Sequence, residues 1–271
     1  MRTDIAGLDR VAPFVGAHAL PLYFALLLML LGIAFLSWWA FARWMLPREP
    51  GAAPTPLRLT MRLAFGFGAI VLGAWVFAEI AEKLEAGPAL GAADQALADA
   101  LHTSVPPAAL QAFAWLTRLA NTETLTVLCI AVAAALAIVG RRWLAIGWVA
   151  AVAGNALLNI TLKQVFARVR PLHDDGIVLA HGFSFPSGHS SGAVVAYGML
   201  AYVAMRFVPV RWHLALVLCA VALAFSIGAS RVFLRVHFAS DVIAGFASGS
   251  AWLAVCIGSI ELTHWYRRRA R

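Results

Sequence analysis

Apolar runs of roughly 20 residues, each long enough to cross a hydrocarbon core of about 30 Å, recur along almost the whole of this chain. That repetition excludes most folds. A water-soluble protein of this length carries about a quarter charged residues, whereas 13% of these 271 residues are charged and 62% are hydrophobic. Seven spans are expected, near 21–43, 63–82, 124–140, 143–162, 189–206, 213–230 and 240–261. The runs lack the alternation of barrel strands, and backbone groups in lipid must be satisfied within each segment, so the spans are helices. The fold class is therefore all-α, a polytopic membrane helical bundle. A polar stretch with Arg2, Asp4, Asp9 and Arg10 precedes the first run. At about 23 residues that run exceeds a signal-peptide core and is expected to stay as an anchor.

The three cysteines, Cys129, Cys219 and Cys256, each fall inside a span with no metal-binding or disulfide spacing, and read as small apolar fillers. The +8 net charge does not point to nucleic acid, because the basic residues sit at span ends rather than in one stripe. Sorting them by span count gives twelve on the face that holds Arg43, Arg141, Arg211 and Arg267, and nine on the face that holds Lys83, Lys163, Arg170 and Arg231. The positive-inside rule makes the first face cytoplasmic. Trp44, Trp143, Trp212 and Trp265, each close to an arginine on that face, mark it as an interface. The N-terminus is then outside and the C-terminus inside. The longest outer connection, 83–123, holds Asp94 and Asp99. Its spacings of Leu97 with Leu101, and of Leu110 with Phe113 and Leu116, predict two short amphipathic helices along the membrane surface, either a packed cap or a gate.

Three polar constellations fall at outer ends of spans. Asn155, Asn159 and Lys163 follow at four-residue intervals, with Arg170 seven residues on and Pro171 after it, which predicts one helical face ending near Arg170. Pro186, Ser187, Gly188 and His189 open the fifth span; a helix start offers free N–H groups to a phosphate, with Gly188 permitting close backbone approach. Ser230 and Arg231, then His237 and Asp241 four residues apart, join the last two spans. A carboxylate bonded to one ring nitrogen fixes the tautomer and frees the other to attack. Read singly, each has a structural alternative: snorkelling cations, a capping turn, an interfacial His and Asp. Together, three cations, a helix N-terminus and two histidines on one face supply charge stabilisation, a nucleophile and a leaving-group acid for phosphoryl transfer.

The patterns K-x6-R-P, P-S-G-H and S-R-x5-H-x3-D, here Lys163 to Pro171, Pro186 to His189 and Ser230 to Asp241, resemble the three signatures of the type 2 phosphatidic acid phosphatase (PAP2) superfamily. The resemblance is to its bacterial membrane lipid phosphatase branch. It implies a six-helix core within 61–271, ending in a short cytoplasmic basic tail, and makes 1–60 an extension with one added span and a cytoplasmic linker. It implies that His237 attacks phosphorus, that Asp241 orients it and that His189 serves as acid and then base. It further implies that Lys163, Arg170, Arg231, Ser187 and the Gly188 amide hold the phosphate. No metal and no cofactor are expected. The implied site faces the periplasm from a bacterial inner membrane and acts on a lipid phosphate: undecaprenyl pyrophosphate, phosphatidylglycerol phosphate, phosphatidic acid or a lipid A phosphate. Arg168, Arg235, His173, Asp174, Asp175 and His181 flank the motifs and either tune head-group choice or are surface residues. The alternatives are a soluble phosphate ester as substrate, phosphoryl transfer to another lipid, and a non-catalytic transporter or scramblase. Gly245 and Gly249 in the last span serve close packing within the bundle or a dimer face. Oligomeric state is left open.

Overall fold

The computed structural model describes residues 12–45, 55–171 and 181–269, without the side chains of Met45, Arg268 and Arg269. Arg2, Asp4, Asp9, Arg10, Arg48, His173, Asp174, Asp175 and Arg271 lie outside the described residues. The chain forms α1 (Ala19–Met45), α2 (Pro56–Ala86), α3 (Ala89–Ser104), α4 (Pro107–Thr117), α5 (Thr122–Ile138), α6 (Arg142–Phe166), α7 (Gly188–Ala204), α8 (His213–Phe233) and α9 (Ala239–Arg269). Short 3-10 turns at Arg118–Ala120 and Val210–Trp212 precede α5 and α8. There is no strand among the described residues. Starts are set locally. Pro56 and Pro107 occupy first-turn positions where a missing N–H costs nothing, and Thr55 caps α2.

Large apolar side chains cover the outside of the bundle, among them Leu28, Phe65, Leu72, Trp75, Val127 and Ile138. Such a surface is stable only in lipid. Among the described residues, five helices (α1, α2, α6, α8 and α9) are long and apolar enough to cross a membrane, and the count reaches six if α4 and α5, bent by 43° at their junction, are taken as one span. The fifth expected span, α7, has 17 residues and ten of them are buried. At about 1.5 Å per residue it is shorter than a hydrocarbon core. It stands in the interior among α6, α8 and α9, where protein rather than lipid surrounds it.

Close helix approach rests on small residues. A Cβ on Gly245 would lie 2.6 Å from the Ser187 carbonyl oxygen, and one on Gly249 would lie 2.9 Å from Ser191. The Gly-x3-Gly face of α9 is thus spent on α7. Trp148 is fully buried beneath α5, its Nε1 donating to the Cys129 carbonyl at 2.9 Å. Glu261 ties one end together, accepting from Tyr202 at 2.8 Å and pairing with Arg206 and Arg62. All three cysteines are free thiols.

The two helices expected in the 83–123 connection are α3 and α4. Leu101 and Phe113 pack with Phe233, Leu234 and Val236 at the end of α8, and Ala19 at the start of α1 joins them. Tyr23 of α1 bonds Ser226 of α8 at 2.7 Å and sits among the rings of Phe113, Phe225 and Phe233. This outer layer is a packed cap over the end of the bundle where all three motifs meet.

Candidate active site

Asn155, Asn159 and Lys163 line one face of α6, as their spacing predicts. Arg170 does not share it. The helix stops at Phe166, and Ala167 turns left-handed at φ 44, four residues before Pro171. Arg170 therefore reaches the site from an irregular segment. Its guanidinium donates to the carbonyls of Gly182 and His181 at 3.0 Å, Phe183 at 3.3 Å and Val236 at 2.6 Å. Burial lowers its pKa, an effect opposed by Asp241. Lys163 donates to the Phe183 carbonyl, and to that of Ser184 at 3.5 Å. These two cations hold the backbone carbonyls of the irregular segment that leads into α7.

Ser187 caps α7: its hydroxyl accepts from the Ser190 amide at 3.4 Å and the Ser190 hydroxyl at 2.9 Å, leaving its own proton to donate. The glycine at 188 has a second use beyond ligand access. A Cβ there would lie 2.8 Å from Asn159 Oδ1, so Gly188 is also what lets α6 approach. Asn159 Nδ2 donates to the Pro186 carbonyl and Asn155 Nδ2 to Ser191, both at 3.4 Å. His189 Nε2 pairs with Asn121 Oδ1 at 3.1 Å, which leaves Nδ1 for proton exchange. His189 lies within electrostatic range of Arg231, His237, Arg170 and Lys163, which brings both histidines and the three cations into one site.

Asp241 is fully buried and is the hub of the third motif. His237 precedes α9 rather than belonging to it, and the two side chains meet through the helix cap. Asp241 reaches back to accept from the Phe238 amide at 2.9 Å, as a third-position acid does in a capping box. The same Oδ2 accepts from the Ser184 hydroxyl and faces His237 Nδ1 at 3.4 Å. Nε2 of His237 then carries the lone pair, 3.2 Å from Arg170 Nη1. Burial pushes the His237 pKa down to about 3 against the opposing pull of Asp241, so the ring is neutral. Arg231 donates to Thr117 at 2.8 Å, while its buried Nε has no hydrogen-bond partner among the described residues.

Several of these partners were not singled out from the sequence. Thr117 and Asn121, four apart just before α5, belong to the outer connection. Ser184 carried no signal at all. Arg168, noted only as a neighbour of the motif, donates from Nη1 to Asp241 Oδ1 at 2.6 Å and from Nη2 to Asp94 at 2.8 Å. Asp94 did carry a signal: it shares the buried face of α3 with Ala98 and Leu101, and a carboxylate there demands a partner. Arg235, buried with φ 54, pairs with His102 of α3, so it serves the cap. The His181 carbonyl is a rest for Arg170. No group of three or more His, Cys, Asp or Glu with metal-binding placement occurs among the described residues.

Residues 144–265 match the model of the PAP2 superfamily. The chain is 33% identical over 185 residues to phosphatidylglycerophosphatase B of Bacillus subtilis, which covers 67% of this chain and 90% of that protein. It is 35% identical over 110 residues to a lipid A 1-phosphatase of Rhizobium johnstonii, 37% of this chain and 41% of that protein. The crystal structure of a transmembrane PAP2-type phosphatidylglycerolphosphate phosphatase from Bacillus subtilis superposes with a TM-score of 0.66 at 28% identity, over 70% of this chain and 94% of that one. With three motifs gathered at one end of a helical bundle and this extent of likeness, the chain belongs to the PAP2 superfamily.

Proposed function

We propose that this protein is a membrane phosphatase that removes phosphate from a lipid head group by attack of His237 on phosphorus. The observation that carries the reading is the placement of that ring. Nδ1 faces Asp241 Oδ2 at 3.4 Å and Nε2 lies 3.2 Å from Arg170 Nη1, a geometry that suits a neutral ring with its proton on Nδ1 and its lone pair on Nε2. In the proposed reaction Nε2 forms a bond to phosphorus as the lipid C–O–P oxygen departs. The leaving alkoxide takes a proton from His189. Water then gives a proton to His189 and attacks phosphorus, the P–N bond breaks, and inorganic phosphate leaves with His237 restored.

Arg170 and Lys163 now hold backbone carbonyls, and phosphate oxygens are the stronger acceptors for both. Arg231 has a buried Nε that an anionic oxygen satisfies, removing the penalty of an unpaired donor. Ser187 retains a proton to donate, and Gly188 starts the helix whose amides favour an anion. The scheme uses no metal. Among the candidate lipids, phosphatidylglycerol phosphate comes first because the relative matched over most of its length is named for it. The charge count and the tryptophan belt support a site facing the periplasm from an inner membrane, with the C-terminus cytoplasmic.

Purified protein in detergent with a chelator is expected to release phosphate from a panel of monophosphate and pyrophosphate lipids, with vanadate competing. His237→Ala abolishes turnover and the acid-labile phosphoenzyme. Activity that returns only on adding a divalent metal, or a phosphoenzyme that survives in His237→Ala, refutes the mechanism.

A further inference from the structure

We propose that Arg168 and Asp94 form a positioning pair for the nucleophile, so that the cap helix α3 takes part in setting the chemistry; the inference rests on the phosphatase reading above. The geometry is a chain of charge. Asp94 on α3 holds Arg168 Nη2 at 2.8 Å, Arg168 Nη1 holds Asp241 Oδ1 at 2.6 Å, and Asp241 Oδ2 faces His237 Nδ1 at 3.4 Å. Neither member of the pair touches the reacting nitrogen. Both act through Asp241.

A carboxylate orients a histidine only if its own plane is fixed. Oδ2 of Asp241 is shared by Ser184, the Phe238 amide and His237. Arg168 is the partner that Oδ1 shows, and with Oδ1 held the carboxylate keeps Oδ2 on the ring. Without it, a fully buried anionic oxygen loses its charge-assisted bond, and the group gains by rotating or taking up a proton. Arg168 itself lies past the end of α6, one residue beyond left-handed Ala167, so no helix sets its direction. Three contacts set it instead: Asp94, the Ser240 hydroxyl at 2.8 Å and the face of Phe238, 4.3 Å from Cζ.

Asp94 also accepts from the amide of Ser240 at 3.2 Å and from its hydroxyl. Those two bonds already pin α3 to the start of α9. A staple between cap and bundle therefore has no need of Arg168, and the shortest bond of the arginine points to Asp241. The pair is electrically balanced, which lets a second acid sit in this apolar setting without a net charge of its own. Asp94 falls outside the span 144–265 that matches the superfamily model, so the cap completes a site whose reacting groups lie within that span.

The test compares full-length wild type, Arg168→Gln, Arg168→Lys, Asp94→Asn and the double variant Asp94→Asn with Arg168→Gln. Phosphate release is measured in detergent on one monophosphate lipid, with melting curves to count folded protein. Arg168→Gln is expected to lower kcat roughly ten- to a hundredfold, the range for losing one charge-assisted hydrogen bond, with KM within about twofold. Arg168→Lys recovers part of that loss because an ammonium still meets Asp241. Asp94→Asn lowers kcat by roughly three- to tenfold alone and adds nothing in the double variant, since its effect passes through Arg168. Folded Arg168→Gln with wild-type kcat, or effects that multiply in the double variant, overturns the pair while leaving the phosphatase reading intact. If Arg168→Gln does not fold, Asp94→Asn decides, and unchanged kcat there overturns the pair. An inactive wild type overturns the phosphatase reading and the pair together.

Discussion

Gly245→Ala tests whether the fit between α9 and α7 sets the site, because one methyl group is placed where the two helices touch. The added carbon would lie 2.6 Å from the Ser187 carbonyl oxygen and 2.9 Å from Ser190 Cβ, and ordinary contact begins at 3.4 Å. The start of α7 must therefore retreat by roughly 0.8 Å. The oxygen cannot swing aside, because it accepts the first hydrogen bond of α7 from Ser191 at 3.1 Å. Retreat stretches the bond from the Ser187 amide to the Asp241 carbonyl, now 3.0 Å, out of hydrogen-bond range. Overpacking of this kind costs about 1–3 kcal/mol, offset by up to about 1 kcal/mol from the better helix propensity of alanine. A shift approaching 1 Å between catalytic groups costs about a hundredfold in rate. Gly66→Ala on α2 is the control, since a Cβ there meets nothing within 4 Å. Melting in detergent and phosphate release from a lipid monophosphate are the assays. Gly245→Ala should melt lower and turn over about a hundredfold more slowly, and Gly66→Ala should do neither. If Gly245→Ala matches Gly66→Ala in both, the close contact between α7 and α9 does not control the site.

Two further expectations concern the histidines. The folded state holds His237 at about 3 against an ordinary 6.5, so unfolding takes up a proton between those values; stability is complete above about 6.5 and falls as pH drops toward 3. Between pH 7 and pH 5 this one group removes roughly 2 kcal/mol, and His237→Gln should lose that part of the pH dependence of melting. Equal slopes in both proteins would mean that the ring is not held neutral. His189→Ala should slow a lipid ester, whose alkoxide needs a proton, by about a hundredfold or more, and an aryl phosphate with an acidic leaving group far less. Equal losses on the two substrates would remove His189 from the acid role.

The apolar runs made the helices legible, since length and hydropathy leave a chain in lipid few other forms. α7 showed where that reasoning thins: an interior helix packed on all sides is freed from the length rule that lipid imposes. The face of Asn155, Asn159 and Lys163 followed from a period of 3.6, but extending it to Arg170 failed because Ala167 turns left-handed. Alanine has no preference for that turn, so tertiary contacts impose it and no local signal announces it. The pairing of His237 with Asp241 was legible as a spacing, although a helix cap, not a helix face, brings them together. Asn121, Thr117 and Ser184 were not legible. Each is a single polar residue whose role depends on a partner at least 50 positions away. Asp94 was half legible, since an acid on the buried face of an amphipathic helix shows that a cation exists without saying which one.

Charge explains why the site is built as it is. A neutral imidazole that keeps a proton on Nδ1 and bonds phosphorus through Nε2 acquires a positive charge as the bond forms. In the proposed reaction that charge develops beside three cations, Lys163, Arg170 and Arg231, the groups assigned above to the phosphate. Only an anion in direct contact with the ring can balance it, and Asp241 is in that position at Nδ1. An unshielded buried carboxylate is itself costly, and Arg168 with Asp94 offsets that cost from the side away from the ring. Positive charge faces the phosphate, negative charge faces the imidazole, and the balancing pair sits behind. In the proposed mechanism, the order of these layers favours attack by a neutral histidine without a strongly basic nucleophile.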